Sequence, residues 1–298
     1  MLTSYHQNTQ SKVERLCEEH RDEAIADGPQ KSDMRKYTLI FKTGLKQESK
    51  TTINTVVRSI GYIVMVYIFI QLWRHIYLDS GRDEVIPGYT FEMMIWYLII
   101  TEIIMCILQA KGITRPITDE IRSGKIAYHT VRPYNYFSYQ VTNFFSIAAF
   151  RMTFLTLTGL IIGFAFIGAL STFTTYGILL GIVSLIIGVL LWVIIFTIIG
   201  MAAFWVENSV PYGWVVHKMF LMLVLFFPPE IFGNTIQTII IYSPLNAAMA
   251  GPARLFVSFS FELFFQTLAI QLFYLITLLA LGYYVYAKGA KKVNIYGG

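Results

Sequence analysis

Long apolar stretches alternate with short polar segments through most of this chain. Six such stretches are bounded by charged, turn-forming or helix-breaking residues, and they cover about residues 59–78, 91–110, 139–168, 176–205, 214–227 and 261–287. A helix needs on the order of 20 apolar residues to cross the roughly 30 Å of hydrocarbon in a bilayer. The pattern therefore predicts an all-α, polytopic membrane protein with six transmembrane helices.

The composition supports a location in lipid. Hydrophobic residues make up 55% of the 298 residues and charged residues only 14%. This leaves too little polar surface to cover a soluble globule of this size. The net charge of +5 is small, and the charged residues are unevenly distributed along the chain. This distribution indicates charges that orient the spans in the membrane, not a nucleic-acid-binding surface.

Lysine and arginine flank alternate ends of the predicted spans. The flanking residues are Lys42, Lys46, Lys50, Arg58, Lys111, Arg115, Arg122, Lys125, Arg132, Lys288, Lys291 and Lys292. By the positive-inside rule both termini are expected in the cytoplasm, which agrees with an even number of spans in the cell membrane.

Four regions are expected along the chain. They are a polar cytoplasmic extension (residues 1–34), an interfacial amphipathic segment (35–58), the six-span domain (59–287) and a cytoplasmic tail (288–298). An ordinary basic flank is the alternative for the second region. No cleavable signal peptide is expected, and Cys17 and Cys106 lie in environments too different to predict a disulfide.

No motif for catalysis is found in the sequence. Gly124 and Lys125 are followed by Ile126, and the upstream spacing does not fit a phosphate-binding loop. The five histidines are too scattered to indicate a metal site. We therefore predict no catalytic, cofactor-binding or metal-binding residue, and no ATP hydrolysis by this chain alone.

The loop at residues 112–137 contains the signals of a short helix. These are Thr114 as N-cap, Pro116, Asp119 and Glu120 in the first turns, Ile117 and Ile121 on one face, and Gly124 at the end. A helix projecting between two spans on the cytoplasmic side is one interpretation. A connector that merely caps the helix bundle is the other, and the local pattern does not separate them.

The stretch at residues 226–256 is broken repeatedly. Pro228 and Pro229 interrupt the fifth apolar stretch, and Pro244 and Pro252 are expected to add further breaks. Residues 231–241 are apolar but too short to span. We predict a re-entrant helical hairpin near the outer face. A seventh span is the rival, but it would place the tail outside and break the lysine and arginine pattern.

Two charged residues lie within apolar stretches. Glu102 and Arg151 are each roughly 14 to 18 Å from the expected cytoplasmic boundary at 1.5 Å per residue. An unpaired charge at that depth is costly, so a buried ion pair between them is the favoured hypothesis. A site that contacts substrate or a proton is the alternative.

Short motifs of this chain resemble the permease subunits of type-2 ABC exporters, in particular their six-span prokaryotic branch. The residues that carry the likeness are Ile121, Gly124, Arg132, Pro133, Phe204, Trp205, Pro228, Pro244, Pro252, Gly297 and Gly298. The likeness covers roughly residues 35–298. The long N-terminal extension, and Glu230 beside the proline pair, depart from the family pattern.

This resemblance implies a function and partners. The helix between the second and third spans would be the coupling helix, which docks on a separate ATPase subunit that carries ATP and Mg²⁺; here it would comprise Thr114, Pro116, Asp119, Glu120, Ile121 and Gly124. The hairpin would form the outer gate, with Pro228, Pro229, Glu230, Pro244 and Pro252. A second permease, identical or paralogous, would complete a pathway that works by alternating access.

Two other classes of protein remain open at this point. A self-sufficient secondary transporter would use Glu102 and Arg151 for ion coupling and need no ATPase. A membrane scaffold would transport nothing. Inverted repeats with broken helices in both halves would favour the secondary transporter, whereas the sequence has a broken helix in only one half.

Overall fold

The computed structural model describes residues 29–50, 52–81, 86–107, 109–130, 132, 134–170 and 172–296. Residues 1–28 of the predicted extension, including Cys17, lie outside the described residues, as do Pro133, Gly297 and Gly298. The described part is helical and contains no strand beyond an isolated bridge between Ile86 and Tyr89. The predicted all-α fold class is confirmed for these residues.

The helices follow one another along the chain with short connections. They are α1 (Pro29–Lys50), α2 (Thr52–Ser80), α3 (Phe91–Ile107), α4 (Ala110–Arg122), α5 (Ile126–Thr130), α6 (Tyr136–Phe166), α7 (Thr175–Met201), α8 (Val210–Phe220), α9 (Asn234–Ile241), α10 (Gly251–Val257) and α11 (Phe261–Tyr296). Short 3-10 turns lie at Ala202–Phe204 and Pro229–Ile231, and single π turns lie at Leu221–Leu225 and Asn246–Ala250.

Among the described residues, five helical stretches are long and apolar enough to cross a membrane. They are Thr52–Asp79, Phe91–Arg122, Tyr136–Phe166, Thr175–Phe204 and Phe261–Lys292. The remaining predicted span corresponds to a shorter apolar helix, Val210–Leu225. Four of the six predicted spans thus have full length. The second reaches 32 residues only together with α4, since α3 alone has 17, and the fifth in chain order is shortened because it ends before Pro228.

The helix α1 does not lie alone. Its contacts occur in the same order along α1 and α6, and they join Tyr37 to Asn135, Phe41 to Phe145, Gly44 to Ser146 and Glu48 to Arg151. The two helices therefore run side by side in the same direction. One face of α1 is occupied by α6, while Lys42, Lys46 and Lys50 remain exposed.

The centre of the bundle is α7, which packs against α4, α6, α8, α10 and α11. The fully buried indole of Trp192 lies 4.7 Å from the ring of Phe196 and 4.8 Å from that of Phe220, measured between ring centroids. Aromatic pairs at this spacing contribute beyond the area that they bury. They join α7 to the short span α8.

Glycine lets α7 approach the π turn at Asn246–Ala250. A Cβ atom on Gly188 would lie 2.5 Å from the backbone oxygen of Ala248. A backbone oxygen cannot swing aside as a side chain can, so only glycine fits at this contact. The π turn is thereby held against the centre of the bundle.

We predict that Gly188→Ala lowers the melting temperature of the detergent-purified protein, because α7 and the π turn must separate. The expected cost is about 1–3 kcal/mol. Gly61→Ala in α2 is the matched control, since a Cβ there meets nothing within 4 Å. That control should be neutral or stabilise by about 0.5–1 kcal/mol through helix propensity. Equal effects of the two substitutions would contradict the packing argument.

Candidate functional site

The helix α4 has one buried face and one exposed face. The buried residues are Ala110, Ile113, Thr114, Ile117, Thr118 and Ile121, and they pack against α7 and α8. A Cβ on Gly200 would lie 3.0 Å from Ile117, and one on Gly213 would lie 2.7 Å from Thr114. The helix is therefore seated closely on the ends of two apolar helices, with Ile117 and Ile121 on one face as predicted.

The helix begins earlier than the sequence predicted. Its N-cap is Gln109, and Thr114 lies inside the helix, where its Oγ1 donates to the carbonyl of Ala110 at 3.0 Å. Thr114 as N-cap was wrong, because a buried threonine hydroxyl can bond the carbonyl four residues back. Pro116 is tolerated within the helix because the carbonyl it leaves unbonded belongs to Gly112, which is exposed.

The end of α4 lies where it was predicted. Gly124 has a φ of +72°, a conformation that glycine adopts at little cost. The Ser123 and Gly124 amides donate to the carbonyls of Asp119 and Ile121 at 3.0 and 3.2 Å. The turn satisfies carbonyls that the helix end would leave free.

The two acids of α4 have different surroundings. Asp119 is exposed and lies 3.8 Å from Arg115, a geometry that contributes little to stability. Glu120 instead faces the bundle, where its Oε2 accepts hydrogen bonds of 2.7 Å from the Tyr136 hydroxyl and from Gln140 Nε2. Of the predicted pair only Asp119 is available to a partner, and Glu120 fixes α4 to α6.

The histidine beside Glu120 belongs to the same polar group. His129 Nε2 lies 3.9 Å from Glu120 Oε2, and His129 Nδ1 lies 2.8 Å from the Tyr134 hydroxyl. Burial lowers the pKa of His129, and the Glu120 carboxylate only partly opposes that shift. The neutral ring is therefore favoured at neutral pH, and this contact connects α5 to α4 without a full ion pair.

The predicted ion pair between Glu102 and Arg151 is wrong. Arg151 Nε lies 2.7 Å from Glu48 Oε1, and Arg151 Nη1 donates to the carbonyl of Ile107 at 3.2 Å. The reason is the parallel packing of α1 on α6, which brings Glu48 to Arg151 across 103 residues of sequence. The Ile107 carbonyl is free to accept because α3 ends there.

Glu102 keeps only a local contact in the described part of the chain. Its Oε1 accepts from the Cys106 thiol at 3.2 Å, one helical turn away, and its buried Oε2 has no hydrogen-bond partner there. The hypothesis of ion coupling through Glu102 and Arg151 thereby loses the pairing on which it was based.

In the segment of residues 226–256, which we call the proline segment, a side chain compensates for the first proline. Pro228 has no amide hydrogen to offer to the carbonyl of Val224, four residues before it. The buried Tyr97 hydroxyl of α3 donates to that carbonyl at 2.6 Å. The carbonyl that is left free at the end of the fifth apolar stretch is therefore paired by a side chain of a neighbouring helix.

The predicted break at Pro252 is wrong. Helical residues continue from Pro244 to Val257 through the π turn. In the π register the amide of Gly251 bonds the carbonyl of Asn246, five residues back. Pro252 would leave the Ala247 carbonyl free in that register, and the buried Gln271 Nε2 donates to it at 2.9 Å.

A largely buried ion pair joins two parts of the proline segment. Glu230 Oε1 lies 2.6 Å from Arg254 Nη2, and the two side chains are 19% and 13% exposed. Burial and the nearby Glu230 carboxylate raise the pKa of Tyr89 well above its usual value. The departure of Glu230 from the family pattern thus has a structural partner, which the sequence analysis did not predict.

Several residues of these sites carried no local signal. Glu48, Tyr97, Tyr136, Gln140 and Gln271 act across helix contacts that are distant in sequence. Gln140 and Gln271 could have been singled out, because an amide within an apolar stretch needs a partner. The identity of that partner was not available from the sequence.

Comparison with known protein families identifies the family of this chain. A family model described as "ABC-2 family transporter protein" matches residues 60–297. No curated protein matches the chain. The matched region includes α3 to α11 and about the last two thirds of α2, and so contains both α4 and the proline segment.

We predict that Glu48 and Arg151 are energetically coupled. Removing either partner leaves a buried, unpaired charge, so Glu48→Gln and Arg151→Met should each destabilise the protein by roughly 3–5 kcal/mol. The double substitution should cost clearly less than the sum. Thermal unfolding of the purified protein measures these differences.

The control for this cycle is Glu102→Gln combined with Arg151→Met. Because Glu102 does not contact Arg151, the two effects should add. Stronger coupling of Arg151 to Glu102 than to Glu48 would restore the pair that the structure replaces.

Proposed function

The chain belongs to the ABC-2 transporter family of multi-pass membrane permeases, and from this premise we propose that it is the membrane-spanning subunit of an ATP-driven exporter. It would form a substrate pathway with a second permease, a copy or a paralogue, by alternating access in the cell membrane. Separate ATPase subunits would bind ATP and Mg²⁺.

The observation that carries this proposal is the two-faced helix α4. Its apolar face is seated on α7 and α8, while Lys111, Arg115, Asp119 and Arg122 are exposed on the other. A helix that leaves its polar face open at the end of a membrane bundle, in a family that works with ABC ATPases, fits the coupling role. The Glu120 contacts with Tyr136 and Gln140 would pass a displacement of α4 to the third span.

The proline segment fits the role of an outer gate. The short helix α9 (Asn234–Ile241) offers only about 12 Å of length, less than half of the hydrocarbon thickness. The 3-10 turn at Pro229–Ile231 and α10 are joined by the Glu230 to Arg254 pair. We propose that this segment re-enters from the outer face, that Pro228, Pro229, Glu230, Pro244 and Pro252 shape it, and that both termini are cytoplasmic.

A proximity experiment tests the coupling role. A single cysteine at Asp119, whose side chain is 67% exposed, should cross-link to an ABC ATPase from the same genome when the two are co-expressed. A cysteine at Tyr176, which is 65% exposed at the other end of the bundle, is the matched control and should give no adduct. Absence of both the adduct and co-purified ATPase would refute the assignment as an ABC permease partner.

Topology has its own test in a variant without Cys17 and Cys106. Single cysteines are placed at Asn234, which is exposed, and at Lys291, which is exposed on the tail. An impermeant maleimide on intact cells should label Asn234→Cys only, and Lys291→Cys only after permeabilisation. A third variant, Asn246→Cys, is the buried control, since Asn246 is 1% exposed. Labelling of Lys291→Cys on intact cells would mean a seventh span.

A further inference from the structure

The loop beyond α4 forms a distinct surface, which we call the basic tip and define as Arg122, Lys125, Tyr128 and Arg132. All four side chains are exposed, and Tyr128 is 74% exposed. The backbone beneath them is held in place, because Ile126 is 2% exposed and His129 bonds Tyr134. The tip is therefore a shaped surface on an anchored turn.

The direction of α4 shows where the tip lies. Just before α4 begins, the Ile107 carbonyl accepts from Arg151, and near the end of α4 the Glu120 carboxylate accepts from Tyr136. Along α6 these contacts run from residue 151 back to residue 136, so α4 lies beside the first half of α6 in the opposite direction. The last turn of α4 and the first turn of α6 therefore both lie beside the tip.

The length of α6 shows how far the tip stands from lipid. Its 31 residues extend about 46 Å, or about 43 Å along the membrane normal at a 20° tilt, against roughly 30 Å of hydrocarbon. Apart from Thr153, Thr156 and Thr158, the polar residues of α6 lie between Ser138 and Arg151, and no charged residue of α6 follows Arg151. The excess of about 13 to 16 Å therefore lies at the end that carries the tip.

At this distance the membrane surface is a poor partner for the tip. The headgroup layer accounts for only about 5 to 7 Å on each side. The tip therefore stands roughly a Debye length, about 8 Å at physiological salt, beyond the headgroups, where their attraction is largely screened. Its positive charge calls for a different explanation.

The charges near the tip are not balanced within the described part of the chain. Arg122, Lys125 and Arg132 contribute three positive charges. With Lys111 and Arg115, residues 111–132 carry five cations against the two acids Asp119 and Glu120, which leaves a net charge of +3. Asp119 lies next to Arg115, so it does not offset the cations of the tip. An exposed aromatic ring among cations is typical of an interface anchor.

We infer that the basic tip docks on an acidic concave surface of the ATPase partner, with the Tyr128 ring inserted and the three cations around it. This inference rests on the proposed function and adds to it the chemistry of the partner surface. Complementary charge would speed association and set the register, while Tyr128 would contribute most of the buried contact.

Charge reversal in the full chain tests the inference. Arg122→Glu, Lys125→Glu and Arg132→Glu are combined in one variant, which is co-expressed with the ABC ATPase of the cross-linking experiment. The matched control reverses three lysines of the tail, Lys288, Lys291 and Lys292, whose side chains are also exposed. The tip variant should bind at least about tenfold less ATPase, and the tail variant should bind as the unaltered chain does.

Two further measurements separate the contributions. Tyr128→Ala should weaken binding without changing its salt dependence, whereas the tip reversal should abolish the loss of affinity that salt causes in the unaltered chain. The melting temperature of each variant is measured, and Lys125→Glu alone, in the exposed turn after α4, serves as the variant least able to affect folding.

The outcomes are distinct. Equal ATPase binding by the tip and tail variants would overturn the inference while the Asp119 cross-link still supported the proposed function. Absence of ATPase from the unaltered chain would refute the proposed function itself. A loss seen only in nanodiscs that contain anionic lipid would mean that the tip binds headgroups, and the acidic-surface assignment would be wrong.

Discussion

The need to pair every backbone carbonyl in a nonpolar medium governs this structure. Where a helix is interrupted, a side chain from another helix or loop supplies the missing donor. The donor and acceptor pairs are Arg151 to Ile107, Tyr97 to Val224, Trp96 to Gly168, Gln271 to Ala247 and Thr172 to Val257. An unpaired carbonyl in hydrocarbon costs several kcal/mol. The breaks that shape the protein are therefore stable only in this arrangement of helices.

The two ends of the helix bundle differ in how their polar groups are paired. At the end that carries α4, the Glu120 carboxylate accepts hydrogen bonds from the buried Tyr136 and Gln140 side chains of α6. At the other end the chain turns back at Pro228, and the Glu230 to Arg254 pair joins its two parts. A displacement of α4 would be passed directly to α6 through Glu120. The proline segment is instead attached to α7 and α11, through Gly188 and Gln271.

Arg151 of α6 joins three helices. Its guanidinium contacts α1 through Glu48 and the end of α3 through the Ile107 carbonyl. The N-terminal helix thereby helps to hold the point at which the second span changes into α4. In the proposed exporter this contact would keep the coupling helix in register while the rest of the permease moves.

The sequence alone determined the helical class, the apolar stretches, the end of α4 at Gly124 and the family resemblance, because period, length and turn chemistry are local properties. It did not determine which charges meet, since Glu102 and Arg151 were expected to pair and Glu48 takes that place. It also placed the start of α4 at Thr114 and a break at Pro252, where the fold buries the hydroxyl and pairs the carbonyl released by the proline. Tertiary structure decided these points, because the energy of a buried polar group depends on neighbours that lie far away along the chain.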